Sequence, residues 1–152
     1  MKIKLETRIA CYSYFHPLII CVIFRGGLWL DGVLSNIVEG DLLDELVSLL
    51  KSSSHYFQVN YVMLDFLNPK SFESINLEKL SSLLNKPVVA VSFDEFPNAV
   101  FLKDFNFYVK FVGLSLSDVR RLIKISMRDS NIPEPLRISR LLALSLLETL
   151  SF

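Results

Sequence analysis

The chain has 152 residues, 51% of them apolar and 21% charged, and its 16 basic side chains balance 16 acidic ones. This length predicts a single domain over residues 1–152, and the apolar fraction excludes intrinsic disorder. A net charge of zero excludes a uniformly basic nucleic-acid-binding chain but leaves room for a local basic face.

The sequence shows no targeting or membrane segment. The longest apolar runs, such as residues 18–24, are far shorter than the ~20 residues that a membrane span needs. We therefore expect a cytoplasmic protein without membrane contact. Cys11 and Cys21 are too few for a disulfide scaffold, and we predict buried structural thiols. A hairpin centred on His16 would bring the two thiols face to face, although we expect no disulfide in an intracellular protein.

Strand-like sequence fills the first third of the chain. β-Branched and aromatic residues dominate three runs separated by short connections, at residues 3–14, 18–24 and 28–37. Short connections predict an antiparallel three-strand meander. The apolar period then changes, and Asp41 precedes leucines at helical spacing, which predicts a helix of about twelve residues.

Helices and strands alternate in the rest of the chain. The predicted strands are residues 57–64, 88–93 and 107–112. The predicted helices are residues 76–84, 115–128 and 135–150, and residues 94–106 are predicted as a loop. Ser115 and Asp118 form a capping box, and Pro135 opens the last helix. A meander followed by alternating elements predicts an α/β fold, with a mixed sheet and helices on its faces.

Charge is distributed unevenly along the sequence. Residues 31–99 hold ten acidic and four basic side chains, whereas residues 100–152 hold eight basic and five acidic ones. In the predicted helix, Arg120, Lys124 and Arg128 recur at every fourth residue, with Arg121 beside them. Such a stripe is either a solvated helix face or a surface that contacts phosphates without sequence preference.

Several segments resemble a known family. These segments are Arg25-Gly-Gly-Leu-Trp-Leu-Asp-Gly-Val-Leu-Ser35, Val62-Met-Leu-Asp65, Asn85-Lys-Pro-Val-Val-Ala-Val91, Gly113-Leu-Ser-Leu and Asn131-Ile-Pro-Glu-Pro-Leu-Arg137. In order and spacing they are similar to an archaeal domain-of-unknown-function family (number ninety-nine), which is related to endonuclease V. The resemblance covers residues 8–93 and 107–148, and it implies an RNase H-like fold and an archaeal source.

The resemblance also implies a metal chemistry. Nucleases of this fold hold Mg²⁺ or Mn²⁺ with converging carboxylates, and the metal activates water for phosphodiester cleavage. The family's first-strand Asp pair falls on Tyr12 and Ser13, and its third-strand Glu falls on Asn36 or Ile37. The resemblance therefore implies that these ligands are lost.

Asp65 matches the fourth-strand Asp of the family. The last ligand position, on the C-terminal helix, holds Arg140, whose cation would repel Mg²⁺ or replace it by pairing with Asp65. At the third strand, where the family has its Glu, a register shift would bring in Glu39 or Asp41 as a ligand. His16 and His55 have no partner at catalytic or metal-binding spacing.

The implied base-recognition elements are altered as well. The duplex wedge of endonuclease V corresponds to residues 28–31, where Trp29 is either a base-stacking residue or a half-buried aromatic at a strand start. The Asp-Gly step of the base pocket reads Asp65-Phe66, so a Phe side chain fills space that Gly leaves open. A short loop over residues 94–106 replaces a longer variable segment.

Two functions follow from these interpretations. The first is a catalytically inactive relative of endonuclease V, without metal or other cofactor, that acts as a binding module or subunit. Its partner is either DNA or RNA, or a protein. The predicted nucleic-acid contacts are Trp29, Arg120, Arg121, Lys124, Arg128, Arg137 and Arg140. A protein partner would contact the exposed members of Phe93, Phe96, Phe101, Phe105 and Phe107.

The alternative function is a divergent active nuclease. It would be a Mg²⁺- or Mn²⁺-dependent endonuclease acting on deaminated, inosine-containing DNA or RNA. Asp65 would be its catalytic metal ligand, together with Glu39 or Asp41.

Overall fold

The fold is a seven-stranded mixed sheet with two helices on each face. The structure is a computed structural model, and it describes residues 3–67, 72 and 74–150. The strands are β1 (Arg8–Phe15), β2 (Leu18–Arg25), β3 (Trp29–Ile37), β4 (Tyr61–Asp65), β5 (Val88–Ser92), β6 (Val100–Leu102) and β7 (Phe107–Val112). The helices are α1 (Leu42–Lys51), α2 (Leu77–Leu84), α3 (Leu116–Ser126) and α4 (Glu134–Thr149), with a short 3-10 turn at Tyr56–Gln58. None of the described helices is long and apolar enough to cross a bilayer.

The order of strands across the sheet is β3-β2-β1-β4-β5-β7-β6. The first three strands form the predicted antiparallel meander, and β4 and β5 join it in parallel to β1. β7 pairs antiparallel with β5, and β6 forms the far edge. The predicted mixed α/β sheet with helices on its faces is confirmed.

Strand alternation divides the core into two apolar layers. Cys11, Leu18 and Ile20 point toward α3 and α4, whereas Ala10 and Ile19 point toward α1 and α2. Because both faces are covered, β2 is buried along nearly its whole length and its sequence is apolar without alternation. This alternation also decides which face each candidate site residue occupies.

Local capping signals place the helix starts correctly. The side chains of Asp41, Asn76 and Ser115 each accept the backbone N–H three residues later. Asn85 ends α2 in the left-handed conformation at φ 55°. The predicted end of α3 at Arg128 is wrong: Met127 leaves the helix in extended backbone and bridges to Pro133.

Two predicted strand boundaries are also wrong. The strand expected from residue 57 starts at Tyr61, because Tyr61 is the first residue that pairs with β1, opposite Ile9. Tyr56–Gln58 form the 3-10 turn instead. The loop expected over residues 94–106 contains β6, because Val100–Leu102 forms a hairpin with β7. The first strand starts at Arg8 rather than residue 3, after a turn in which Thr7 N–H donates to the Lys4 carbonyl.

The β1–β2 hairpin separates the two cysteines. Its turn contains both His16 and Pro17, so Cys11 is opposite Val22 and Cys21 is opposite Tyr12. A hairpin centred on His16 alone would be shifted by one residue, and a shift of one residue moves a side chain to the other face. Cys11 therefore packs in one apolar layer and Cys21 in the other. The prediction that the thiols face each other is wrong, whereas their burial is confirmed.

We expect neither thiol to react in the native protein. Burial raises the pKa of both thiols well above the ordinary value, so that little reactive thiolate forms at neutral pH. A thiol-exchange reagent should label no cysteine until denaturant is added, and then two. Rapid labelling of the folded protein would contradict this packing.

Candidate functional site

An ion pair between Asp65 and Arg140 lies at one end of the sheet. Asp65 ends β4, and only 2% of its side chain is exposed. One guanidinium nitrogen of Arg140 donates to both carboxylate oxygens, at 3.0 Å to Oδ2 and 3.1 Å to Oδ1. The Ser13 hydroxyl donates to Oδ2 at 2.8 Å, and the Leu67 N–H donates to Oδ1 at 2.9 Å. Each carboxylate oxygen thus has two donors from the chain itself.

Helix α4 supplies the other wall of this site. Ser139 Oγ lies 2.6 Å from Ser13 Oγ and 3.6 Å from Cys11 Sγ, and all three residues are fully buried. Arg140 crosses Phe15, with Cζ 5.2 Å from the ring centroid, and keeps a quarter of its side chain exposed. These contacts fasten the middle of α4 to the carboxyl ends of β1 and β4.

The electrostatics of the site depend on the guanidinium. Burial raises the pKa of Asp65 above its ordinary value, because loss of water disfavours the charged carboxylate. The charge of Arg140 is the largest opposing influence on this pKa, followed by the hydrogen bonds from Ser13 and the Leu67 N–H. Arg140 is therefore the main compensation for the lost hydration of Asp65.

Strand alternation shows which first-strand residue faces Asp65. Ser13 contacts the carboxylate directly. Tyr12 points to the opposite face, where its hydroxyl donates to the Leu46 carbonyl at 2.7 Å. Of the two positions that the resemblance indicated for the first-strand acid, only Ser13 belongs to this site.

The same reasoning separates Asn36 from Ile37. Ile37 is opposite Leu18 and packs in the layer under α4, on the face that carries Asp65. Asn36 is on the other face, where its amide donates to Glu45 at 3.0 Å. The third-strand position on the face of Asp65 therefore holds an apolar side chain.

These residues do not fit a divalent metal ion. Mg²⁺ takes about six oxygen ligands in octahedral geometry, which include one or two carboxylates with free lone pairs besides waters and substrate phosphates. Here Ser13, Ile37, Asp65 and Arg140 supply one carboxylate, already hydrogen-bonded at both oxygens, and one cation. Asp41 caps α1 instead of approaching the site. Among the described residues, no group of three or more His, Cys, Asp or Glu side chains is placed to hold a metal.

Trp29 lies at the opposite end of the sheet. It is aligned with Arg25 on β2, which is aligned with Arg8 on β1. This row is five residues, or ~16 Å, from Ser13 along β1. Trp29 is 52% exposed, and the Arg25 guanidinium carbon lies 4.9 Å from the centre of its ring. Asp31 lies between the two arginines, 2.9 Å from Arg25 and 3.4 Å from Arg8.

An exposed aromatic that the sequence patterns missed lies at this same end. Phe57 is 91% exposed, whereas the sequence placed it inside a strand. The preceding His55 lies over Gly32 of β3, where an added methyl group would be 2.5 Å from Nε2. Three residues after Phe57, Asn60 exchanges hydrogen bonds with the Arg8 backbone. The 55–60 segment therefore crosses the end of the sheet from β3 to β4.

The predicted basic stripe is only partly continuous. Arg120, Arg121 and Lys124 are exposed on α3. Arg128, expected in line with them, lies beyond the helix end, where Nη1 donates to the Gly27 carbonyl at 3.3 Å. Arg137 makes a two-point ion pair with Glu134, at 2.7 and 2.8 Å. Of the seven residues expected to contact nucleic acid, Arg140 is the one held in the buried pair.

Phe66, directly after Asp65, belongs to an aromatic cluster. Its ring stacks on Phe72 at 5.9 Å and approaches Phe96 at 5.3 Å, beside an open cavity of about 380 Å³. The Phe66 ring therefore fills space between Phe72 and Phe96. Of the phenylalanines suggested for a protein contact, Phe93 and Phe101 are exposed, Phe96 and Phe105 are partly buried and Phe107 is fully buried.

The strand order and the crossing of α4 behind β1 and β2 define an RNase H-like domain. Residues 13–104 match the sequence model of the Endonuclease dU family, which is more than half of the chain, and the protein belongs to that family. A UPF0215 protein of *Methanosarcina acetivorans*, an archaeon, is 29% identical, over 83% of this chain and 81% of its own length.

Two solved structures share the fold. A protein of unknown function from *Archaeoglobus fulgidus* superposes with a TM-score of 0.80 at 20% identity, covering 93% of this chain and 98% of its own. *Ciona intestinalis* endonuclease V, in complex with DNA containing an inosine followed by a ribo-adenosine, has a TM-score of 0.63 at 11% identity. That match covers 95% of this chain and 87% of the endonuclease. The predicted relationship to endonuclease V is confirmed at the level of family and fold.

Proposed function

We propose that this protein is a non-catalytic member of its family that binds nucleic acid. The observation that carries the proposal is the pairing of Asp65 with Arg140, which uses both carboxylate oxygens inside the protein. Metal-assisted phosphodiester cleavage needs carboxylates that are free to coordinate an ion and position water. A guanidinium 3.0 Å from the carboxylate repels a divalent cation and occupies the space where one would bind.

The surface supports a nucleic-acid partner. Trp29 is half exposed beside Arg25, and Arg120, Arg121 and Lys124 give α3 an exposed basic face. Exposed aromatic rings next to cations suit bases and phosphates together. The related *Ciona* endonuclease V binds DNA in its solved complex, and the proposal transfers binding, without cleavage, to this chain.

A cleavage assay tests the catalytic half of the proposal. The purified protein should not cut inosine- or uracil-containing DNA or RNA, single-stranded or duplex, with Mg²⁺ or Mn²⁺. Asp65→Asn protein prepared in parallel defines the background from contaminating nucleases. Metal-dependent nicking by the wild type that disappears in Asp65→Asn would overturn the proposal in favour of the divergent nuclease.

Binding is measured separately by fluorescence anisotropy of labelled oligonucleotides over a salt series. We expect binding that weakens steeply as salt rises, because phosphate contacts release counterions. An absence of binding at low salt would overturn the nucleic-acid half and leave a protein partner, through a surface that includes Phe93 or Phe101, as the next hypothesis.

A further inference from the structure

We infer that the nucleic acid is single-stranded and binds at the end of the sheet remote from Asp65, with Trp29 and Phe57 as stacking platforms. The inference rests on the proposed function and names the form of nucleic acid and the surface that takes it. We call this surface the basal track, formed by Trp29, Arg25, Arg8, His55 and Phe57.

The first argument is the exposure of two large aromatic rings at one place. Phe57 is 91% and Trp29 is 52% exposed, whereas large aromatics are usually mostly buried in folded proteins. The Tyr56 ring, 5.2 Å from Phe57, turns inward instead and donates its hydroxyl to the Leu84 carbonyl. Phe57 therefore projects outward from a turn that is itself anchored.

The second argument is that the residues of the track, or the segment that carries them, are held on one face at one end of the sheet. Arg8, Arg25 and Trp29 form one row across three strands, spanning ~10 Å at ~4.8 Å per strand spacing. Strand alternation puts Arg8 on the face that carries Ala10, which is the face where His55 covers Gly32. The 55–60 segment is anchored on this face at both ends, by His55 over Gly32 and by Asn60 on the Arg8 backbone, and Phe57 lies between these two anchors in the chain.

The third argument is the sign of the charge. Arg8 and Arg25 share a single carboxylate, Asp31, so the row keeps an excess of positive charge. Lys86 adds a cation nearby, with Nζ 4.4 Å from the centre of the Tyr56 ring. Cations beside open aromatic rings match a polyanion that carries flat bases more closely than they match an apolar protein surface.

The fourth argument favours a single strand. An aromatic ring at the surface stacks readily on a base that is unpaired and turned outward, whereas insertion into a duplex first costs the unstacking of a base step. An undistorted duplex would contact the arginines through its phosphates and leave Trp29 and Phe57 in water. The stacking is sequence-tolerant, so we expect little preference among bases.

The single tryptophan of the chain makes the test direct, because all indole fluorescence comes from Trp29. Short oligo-dT or oligo-U should quench this fluorescence, whereas duplexes of equal length should bind more weakly and quench less. Trp29→Ala and Phe57→Ala should each weaken anisotropy-detected binding by about fivefold or more, as expected for one lost stacking contact. Comparing the affinities for DNA and RNA oligomers shows which of the two single-stranded nucleic acids the protein prefers.

Phe101→Ala is the matched control, because Phe101 is also an exposed phenylalanine but lies on β6 at the far edge of the sheet. We expect its affinity to equal that of the wild type. Binding that survives both track substitutions without quenching would overturn the inference while leaving the proposed function standing. Equal affinity and quenching for duplex would overturn the single-strand assignment. No binding to any oligomer would overturn both.

Discussion

Replacing Arg140 with methionine should destabilise the protein by about 3 kcal/mol at neutral pH. The substitution keeps most of the side-chain volume but leaves the Asp65 carboxylate buried without its cation. Breaking one partner of a buried pair is costly because the remaining charge cannot regain its hydration. Urea denaturation monitored by circular dichroism measures the free energy of unfolding.

The loss of stability in Arg140→Met should depend on pH in a defined direction. The pKa of Asp65 is already raised by burial, and the Arg140 charge holds it down, so removing Arg140 raises the pKa further. A carboxyl group whose pKa is higher in the folded than in the unfolded chain binds more protons when folded, and therefore gains stability as the pH falls. The Arg140→Met penalty should thus shrink as the pH is lowered through the raised pKa of Asp65.

A double variant separates the charge from the packing. Asp65→Asn combined with Arg140→Met removes both charges and should recover much of the lost stability. Arg140→Met that is as stable as the wild type at neutral pH would show that the pair does not hold α4 to the sheet. Equal penalties in the single and double variants would assign the effect to packing against Phe15.

Local signals in the sequence are sufficient for the helix starts and for the antiparallel meander. Helix starts at Asp41, Asn76 and Ser115 depend on side chains within three residues of the backbone group that they cap. The meander follows from short connections between apolar runs. These features involve neighbours in sequence, and a single sequence contains them completely.

The candidate site required long-range register that the sequence does not specify. Whether Ser13 or Tyr12 faces Asp65 depends on strand alternation, which reverses with a shift of one residue. The same one-residue uncertainty in the register of the β1–β2 hairpin led to the wrong prediction that Cys21 faces Cys11. The sequence patterns place Phe57 in a strand because they do not show where β4 starts. That start is set by the pairing of β4 with β1, about fifty residues earlier in the chain.

The two ends of the sheet differ in how their polar groups are satisfied. At the Asp65 end, donors and acceptors are buried and paired with one another, and contacts from β1, β4 and α4 close the site. At the other end, Trp29 and Phe57 are exposed and the arginines retain solvent contact. Binding at the exposed end does not require any change at the closed end, so the proposed loss of catalysis and the proposed binding surface are compatible.

Gly26 opens the turn that leads from Arg25 to Trp29. It adopts φ 56°, in the left-handed region, and its N–H donates to the Thr7 carbonyl at 2.8 Å. A Cβ atom there would overlap the Leu5 carbonyl oxygen, which belongs to the backbone and cannot rotate away. Gly26→Ala should therefore destabilise the protein by about 3 kcal/mol, through backbone strain and displacement of the N-terminal segment.

Gly26→Ala should also weaken oligonucleotide binding, because the turn connects Arg25 to Trp29 and a shifted turn separates the guanidinium from the ring. Gly40→Ala is the matched control: nothing lies within 4 Å of a Cβ at that position, and we expect a change within ~0.5 kcal/mol. Both free energies are measured by urea unfolding, and the affinity by anisotropy below the unfolding transition. A Gly26→Ala protein with wild-type stability would mean that the N-terminal segment does not pack against the turn.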